Sequence, residues 1–289
     1  MVRLTVALGL AVALVPAAVG GRAGARAVPA ARAANAAPAP ACHATLRVIA
    51  HGQGSPDDLV WAGRRLLVSD IKKGTVGAVA RGHVRTLIAH IREPEGIVPG
   101  PHHSLLVAEQ ATDRVLEVNP ATGSRKVLVK LRLPHGQSGL DGINADGPGA
   151  IFVPDSARGR LYVLHLGTGR LSLVARGMKR PVAAIRWAHG IAVADEYSNA
   201  VWMIAGGKRK RLGAIPLPDD LAVISGHLVA VSLVGQVWEV APHLRLLSSA
   251  FGPTTTDPQG LAPDGPGAVV VADEARNAIY RLGRLGGCL

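Results

Sequence analysis

Short apolar runs return at even intervals along the chain. "LLVSD", "LLVAE", "IFVPD", "IAVAD", "LVAVS" and "VVVAD" each close on an acid or a serine and lead into a turn-rich segment. An unbroken apolar run of this length predicts a strand covered on both faces. The flanking segments, such as "GLAP" before and "NAIYRL" after the last run, alternate apolar and polar positions and predict half-covered strands. Aligned on a turn related to Pro-acid-Gly, the chain divides into six units that begin at Pro56, Pro94, Leu140, Pro181, Pro218 and Pro258. The second residue of each motif falls at Asp57, Glu95, Asp141, Val182, Asp219 and Gln259, at spacings of 37 to 46 residues. The residues that close the apolar runs, Asp70, Glu109, Asp155, Asp195, Ser232 and Asp273, keep the same period.

Earlier units contain a fourth strand, for example "VRTLIAHI", "RKVLVKL" and "LSLVARG". Four short strands per period of about forty residues predict an all-β, six-bladed β-propeller with four antiparallel strands per blade. A solenoid or a pair of sandwiches accounts less well for the spacing. The last unit lacks its fourth strand, because "NAIYRL" is followed only by "GRLGGCL". A strand without a blade, "ATLRVIAHG", precedes the first unit, and the expectation is that it completes the last blade and closes the ring. That arrangement would bring together the two cysteines, Cys42 and Cys288, as a disulfide; two free thiols are the alternative.

Composition places the chain. Gly 35 and Pro 20 suit a turn-rich β protein, and an aromatic content of 3% leaves little for stacking on bases. Residues 1–25 read as an export signal: Arg3, an apolar run from Leu4 to Val19, then the small-residue site Ala23-Gly24-Ala25. An uncleaved anchor is the alternative reading of the same run. Residues 26–41, "RAVPAARAANAAPAPA", read as an Ala/Pro-rich linker, and 42–289 as the propeller. The expected location is therefore secreted or cell-envelope. The net charge of +12 includes Arg3, Arg22, Arg26 and Arg32, so residues 42–289 carry +8. A basic balance suits polyanions, but nucleic acid is disfavoured without a stacking platform. The run Lys208-Arg209-Lys210-Arg211 is expected at a solvated hairpin tip.

The last unit, "PQGLAPDGPGAVVVADEARNAIY", resembles the NHL repeat, with its Pro-x-Gly start, Gly-containing turn, V-A-D strand end and following Asn. Residues 44–288 as a whole are similar to the six-bladed group that includes NHL proteins, the SMP-30/gluconolactonase/LRE family and related lactonases and lyases. In gluconolactonase-like members a divalent cation is held in the central channel by acidic and Asn side chains. Carried over, that resemblance implies Asp57, Asp141 and Asp219 as ligands, with Val182 standing where those enzymes have Asn. The channel histidines of the streptogramin-lyase relatives have no counterpart; the matching strand ends read "VSD", "VAE" and "VAD".

The residues alone give a related expectation. Asp57, Glu95, Asp141 and Asp219 would converge on the ring axis, where several carboxylates stay charged only with a cation present. Oxygen ligands would suit Ca²⁺ or Mg²⁺; the other reading is that these carboxylates cap backbone N–H groups. The second set, Asp70, Glu109, Asp155, Asp195 and Asp273, repeats in nearly every unit and is expected to tie its own turn. Three functions follow. The first is a non-catalytic propeller, expected as a monomer, that binds a small molecule or a cell-envelope or extracellular partner through loops at the channel mouth. The second is a metal-dependent lactonase or hydrolase with Asp219 or Asp141 as general base. The third is a cell-envelope polyanion binder.

Overall fold

The computed structural model describes residues 42–289 except 53, 135, 253 and 254. The expected export signal and linker lie outside the described residues. β-strands numbered in chain order reach 24 and form six four-stranded antiparallel sheets, the blades of a propeller. Each blade starts with an inner strand beside the axis and steps outward. The inner strands are Pro56–Ala62, Pro94–Pro99, Asn144–Ala145, Pro181–Trp187, Pro218–Ile224 and Pro258–Pro263. The apolar runs form the second strands, which are almost wholly buried: every residue of Leu105–Glu109, Gly190–Asp195 and Val269–Asp273 is buried.

A blade cannot bury both faces by itself, so the core lies between blades. Val98, Leu106 and Val115 of the second blade pack with Ile143, Ile151 and Leu164 of the third. Leu59, Leu66 and Val68 of the first pack with Val270 and Ile279 of the sixth. Each such side chain contributes about 1.5–3 kcal/mol through removal from water. In the sixth sheet the outermost strand is Thr45–His51, antiparallel to Ala278–Gly283 with Leu46 opposite Leu282. Cys42 and Cys288 form a disulfide beside this pair, with Cα atoms 6.0 Å apart, a separation usual for such bonds.

One strand is shorter than its counterparts, and one local expectation changes. The third inner strand is short because the residues ahead of it bond to the second blade instead of their own. Leu140 N–H donates to Asp113 Oδ1 at 3.0 Å, and Asp141 C=O accepts from Gly96 N–H at 3.4 Å. The basic run does not occupy a hairpin tip. It begins the outermost strand of the fourth blade, Lys208–Ala214, because Gly206-Gly207 takes the turn, both glycines having positive φ.

Candidate ligand site at the channel mouth

Asp57, Glu95 and Asp219 are the second residues of their inner strands, and Asp141 lies three residues ahead of the short third one. Asp57, Asp141 and Asp219 line one small cavity together with Asp58, Asn144, Asp220 and Val182. It has room for about one water or ion. The acids at all four expected positions, Asp57, Glu95, Asp141 and Asp219, are buried. Glu95 does not line the cavity, and Gln110 Nε2 donates to its Oε1.

A half-buried cation lies beside the carboxylates, and it is an arginine. Arg180, immediately before the fourth inner strand, donates through Nη2 to Asp141 Oδ2 and through Nε to Glu196 Oε2. Tyr197 stacks at 5.5 Å from the guanidinium carbon. Burial opposes the arginine's charge, but Asp141 and Glu196 hold it firmly protonated. Glu196 is itself pushed up to about 6 by burial, with Arg180 pulling the other way.

The remaining acids hold protons more tightly than usual. Burial, then repulsion from Asp141 and Asp58, raises Asp57 well above the carboxylate range, and Asp57 shares a hydrogen bond with Glu95. Glu95 is raised by burial and by Asp57. Asp219 is raised by burial, then by Asp141 and Asp57. Its carboxylate accepts no hydrogen bond from the described residues. Farther along the same face Asp257 is raised to about 7 by burial and by Glu274.

The adjacent residues of the two Asp doublets do different work from Asp57 and Asp219. Asp58 accepts from Leu59 N–H at 2.7 Å and, across the blade boundary, from Ile97 N–H at 2.6 Å. Asp220 does the same with Leu221 N–H at 2.7 Å and Leu261 N–H at 2.8 Å. In the third blade Asn144 Oδ1 takes this part, accepting from Ala184 N–H at 3.1 Å. The first, third and fifth blades are thus stitched to the second, fourth and sixth. Other boundaries close on glycine: a Cβ on Gly96 would collide with Ile143 N, and one on Gly260 with Asp57 O.

The acids that close the second strands tie turns. Asp70 accepts from Lys73 N–H at 2.9 Å, Asp155 from Arg158 N–H at 3.2 Å, and Asp195 from Arg180 N–H at 2.7 Å. Asp273 accepts from Asp257 N–H at 3.1 Å.

Of the expected metal set, Asp57, Asp141 and Asp219 share one cavity and Glu95 lies outside it. Among the described residues no three His, Cys, Asp or Glu side chains are placed to share an ion. Glu95 is held by Gln110, Asp141 is neutralised by Arg180, and the fourth blade presents Val182 and Ala183 to the cavity. Sequence reasoning does not single out Arg180, Glu196, Asp58, Asp220 or Asp257. The available signals are the Asp57-Asp58 and Asp219-Asp220 doublets and the twice-occurring "VADE" at Glu196 and Glu274.

No protein-family model and no curated protein matches the sequence. Solved structures do match in shape. A luciferin-regenerating enzyme aligns with TM-score 0.69 at 14% identity, over 84% of this chain and 96% of that one. A proposed gluconolactonase gives 0.67 at 17%, over 86% and 93%. A catalytically inactive form of virginiamycin B lyase from Staphylococcus aureus, solved with quinupristin, gives 0.62 at 11%, over 83% and 99%. At these identities the likeness is one of fold, a six-bladed propeller scaffold.

Proposed function

We propose that this chain is an exported, monomeric binding propeller whose channel mouth receives a positively charged group, such as a protonated amine on a small molecule or on an extracellular partner. The observation that carries the reading is the division of labour among the buried acids. Arg180 satisfies Asp141 and Glu196, while Asp219 faces the cavity with no donor among the described residues. A buried carboxylate held above its ordinary pKa by neighbouring acids gains most from a cation at hydrogen-bond distance. Only a slender group such as an alkylammonium tip fits so small a cavity.

Export is supported by the Cys42–Cys288 disulfide, which persists in oxidising compartments, and by the signal-like residues 1–25. No helix among the described residues is long and apolar enough to cross a membrane.

Calorimetric titration with 1,5-diaminopentane tests the reading. Cation binding favours ionised carboxylates and releases protons, and Asp219 is raised above the ordinary carboxylate range, so affinity should strengthen as pH rises above that range and be lost in Asp219→Asn. Absence of binding in the parent protein overturns the proposal. Stoichiometric Ca²⁺ together with lactone hydrolysis, both lost in Asp219→Asn, would replace it with the metal-dependent hydrolase.

A further inference from the structure

Acids are missing from the rim of this ring. None of its 20 acids lies on an outermost strand of any blade. The outermost strands of the second, third and fourth blades, "RKVLVK", "RLSLVAR" and "KRKRLGA", carry nine lysines and arginines, and all of those side chains are exposed. The next strands inward in the third and fourth blades, "RLYVLH" and "AVWMIA", contain no acid and add Arg160 opposite Arg176. In the second blade a single acid, Glu117, faces Lys126. Like charges on neighbouring edge positions destabilise a sheet slightly, so gathering so many of them on one arc is a cost to the fold.

Some of these side chains are fixed and some are not. Arg209 lies over the Trp202 ring at 4.6 Å and donates to Gly177 C=O at 3.0 Å; Arg211 donates to Asn199 C=O at 2.9 Å. Lys208 and Lys210, which alternate with them along the strand, make no hydrogen bond or ion pair among the described residues. Between the outer strands of the third and fourth blades runs a cleft of about 580 Å³. Leu173, Val174 and Ile204 give it an apolar floor, and Arg176, Lys208 and Arg209 edge it.

We infer that the outer edge of the third and fourth blades, continued onto the second, is a docking belt for a linear anionic polysaccharide. Charge complementarity selects a polyanion. The belt follows the convex rim of a ring, which a flexible polymer can track across successive blades and a planar bilayer touches only along one line. The indole of Trp202, on the strand next to the basic run, is covered by Arg209, which removes a platform for nucleic-acid bases. The apolar floor suits the C–H face of a sugar ring between anionic substituents. This surface is separate from the channel mouth, and neither reading requires the other.

The test uses the full chain and heparin as the probe, with dextran as the neutral control. The parent should bind heparin and not dextran, with affinity falling steeply from about 0.05 M to about 0.3 M salt. Lys208→Glu with Lys210→Glu should weaken heparin binding at least tenfold and flatten the salt dependence. Arg64→Glu with Arg92→Glu, two exposed positions off the belt, changes net charge equally and should shift affinity less than twofold. Equal losses in the two double variants would reduce the effect to net charge and overturn the proposal. Unaltered melting of both variants, followed by circular dichroism, keeps a folding defect distinct from a binding one. Single-stranded DNA, polyphosphate or anionic vesicles bound more tightly than heparin would overturn the choice of partner.

Discussion

Asp113 occupies a turn position where the fourth and sixth blades carry Asn199 and Asn277, all three with left-handed φ of 51° to 56°. Its Oδ1 accepts from Leu140 N–H, as Asn199 Oδ1 accepts from Leu217 N–H at 2.9 Å, but Oδ2 is buried without a hydrogen bond. Burial and the charge of Asp155 raise its pKa. An acid whose folded-state pKa lies above its unfolded value opposes folding while ionised, and the opposition begins to fade as pH drops through the folded pKa and is gone below the unfolded one. Asp113→Asn should therefore stabilise the protein by about 1 kcal/mol at neutral pH, and the gain should vanish in acid. Thermal melts of both proteins across pH check this. Single residues are also where the sequence is hardest to read. Asp57 and Asp58 are chemically identical neighbours on one cavity, and strand alternation alone does not say that Asp58 accepts from the backbone of the next blade and Asp57 does not. The significance of Arg180 depends on Asp141, 39 positions earlier, and no local pattern links them.

At the scale of the strand, the legible part is the period. Unbroken apolar runs mark the buried second strands, since a strand covered on both faces has no polar position to lose. Less legible is the short inner strand at Asn144–Ala145, whose upstream backbone is satisfied by the second blade. "KRKR" reads as a tip because a polar run suggests one, whereas an edge strand tolerates charge along its free side. The inner strands also make the clearest prediction about inter-blade bonds. Asp58→Ala removes the acceptor for Leu59 and Ile97 and should cost about 1–3 kcal/mol by leaving buried N–H groups unpaired. Asp58→Asn, which keeps one acceptor oxygen, should cost less. Chemical denaturation of the two variants gives the comparison, and equal costs would mean that charge, and not the acceptor, matters at this position.

For the whole molecule, the ends of the described chain meet in one sheet and are joined covalently, with a sequence separation of 246 between the bonded cysteines. A crosslink spanning so long a loop restricts the unfolded chain, and the loop-entropy model assigns it at most about 5 kcal/mol. Cys288→Ser should lower the melting temperature under oxidising conditions and make no difference once the parent is reduced; differential scanning calorimetry with and without reductant measures both. The ring architecture is readable from the repeats because six similar units impose one geometry. Its chemistry is less readable, since a repeat reveals what units share and a site depends on where they differ. The stitching of inner strands is such a difference: Asp58, Asn144 and Asp220 cross every second boundary. The boundaries between the second and third and between the fourth and fifth blades are bridged from turns instead, Asp113 accepting from Leu140 N–H and Asn199 from Leu217 N–H. The ring thus holds two kinds of joint, and a substitution that removes one kind leaves the other intact around the circle.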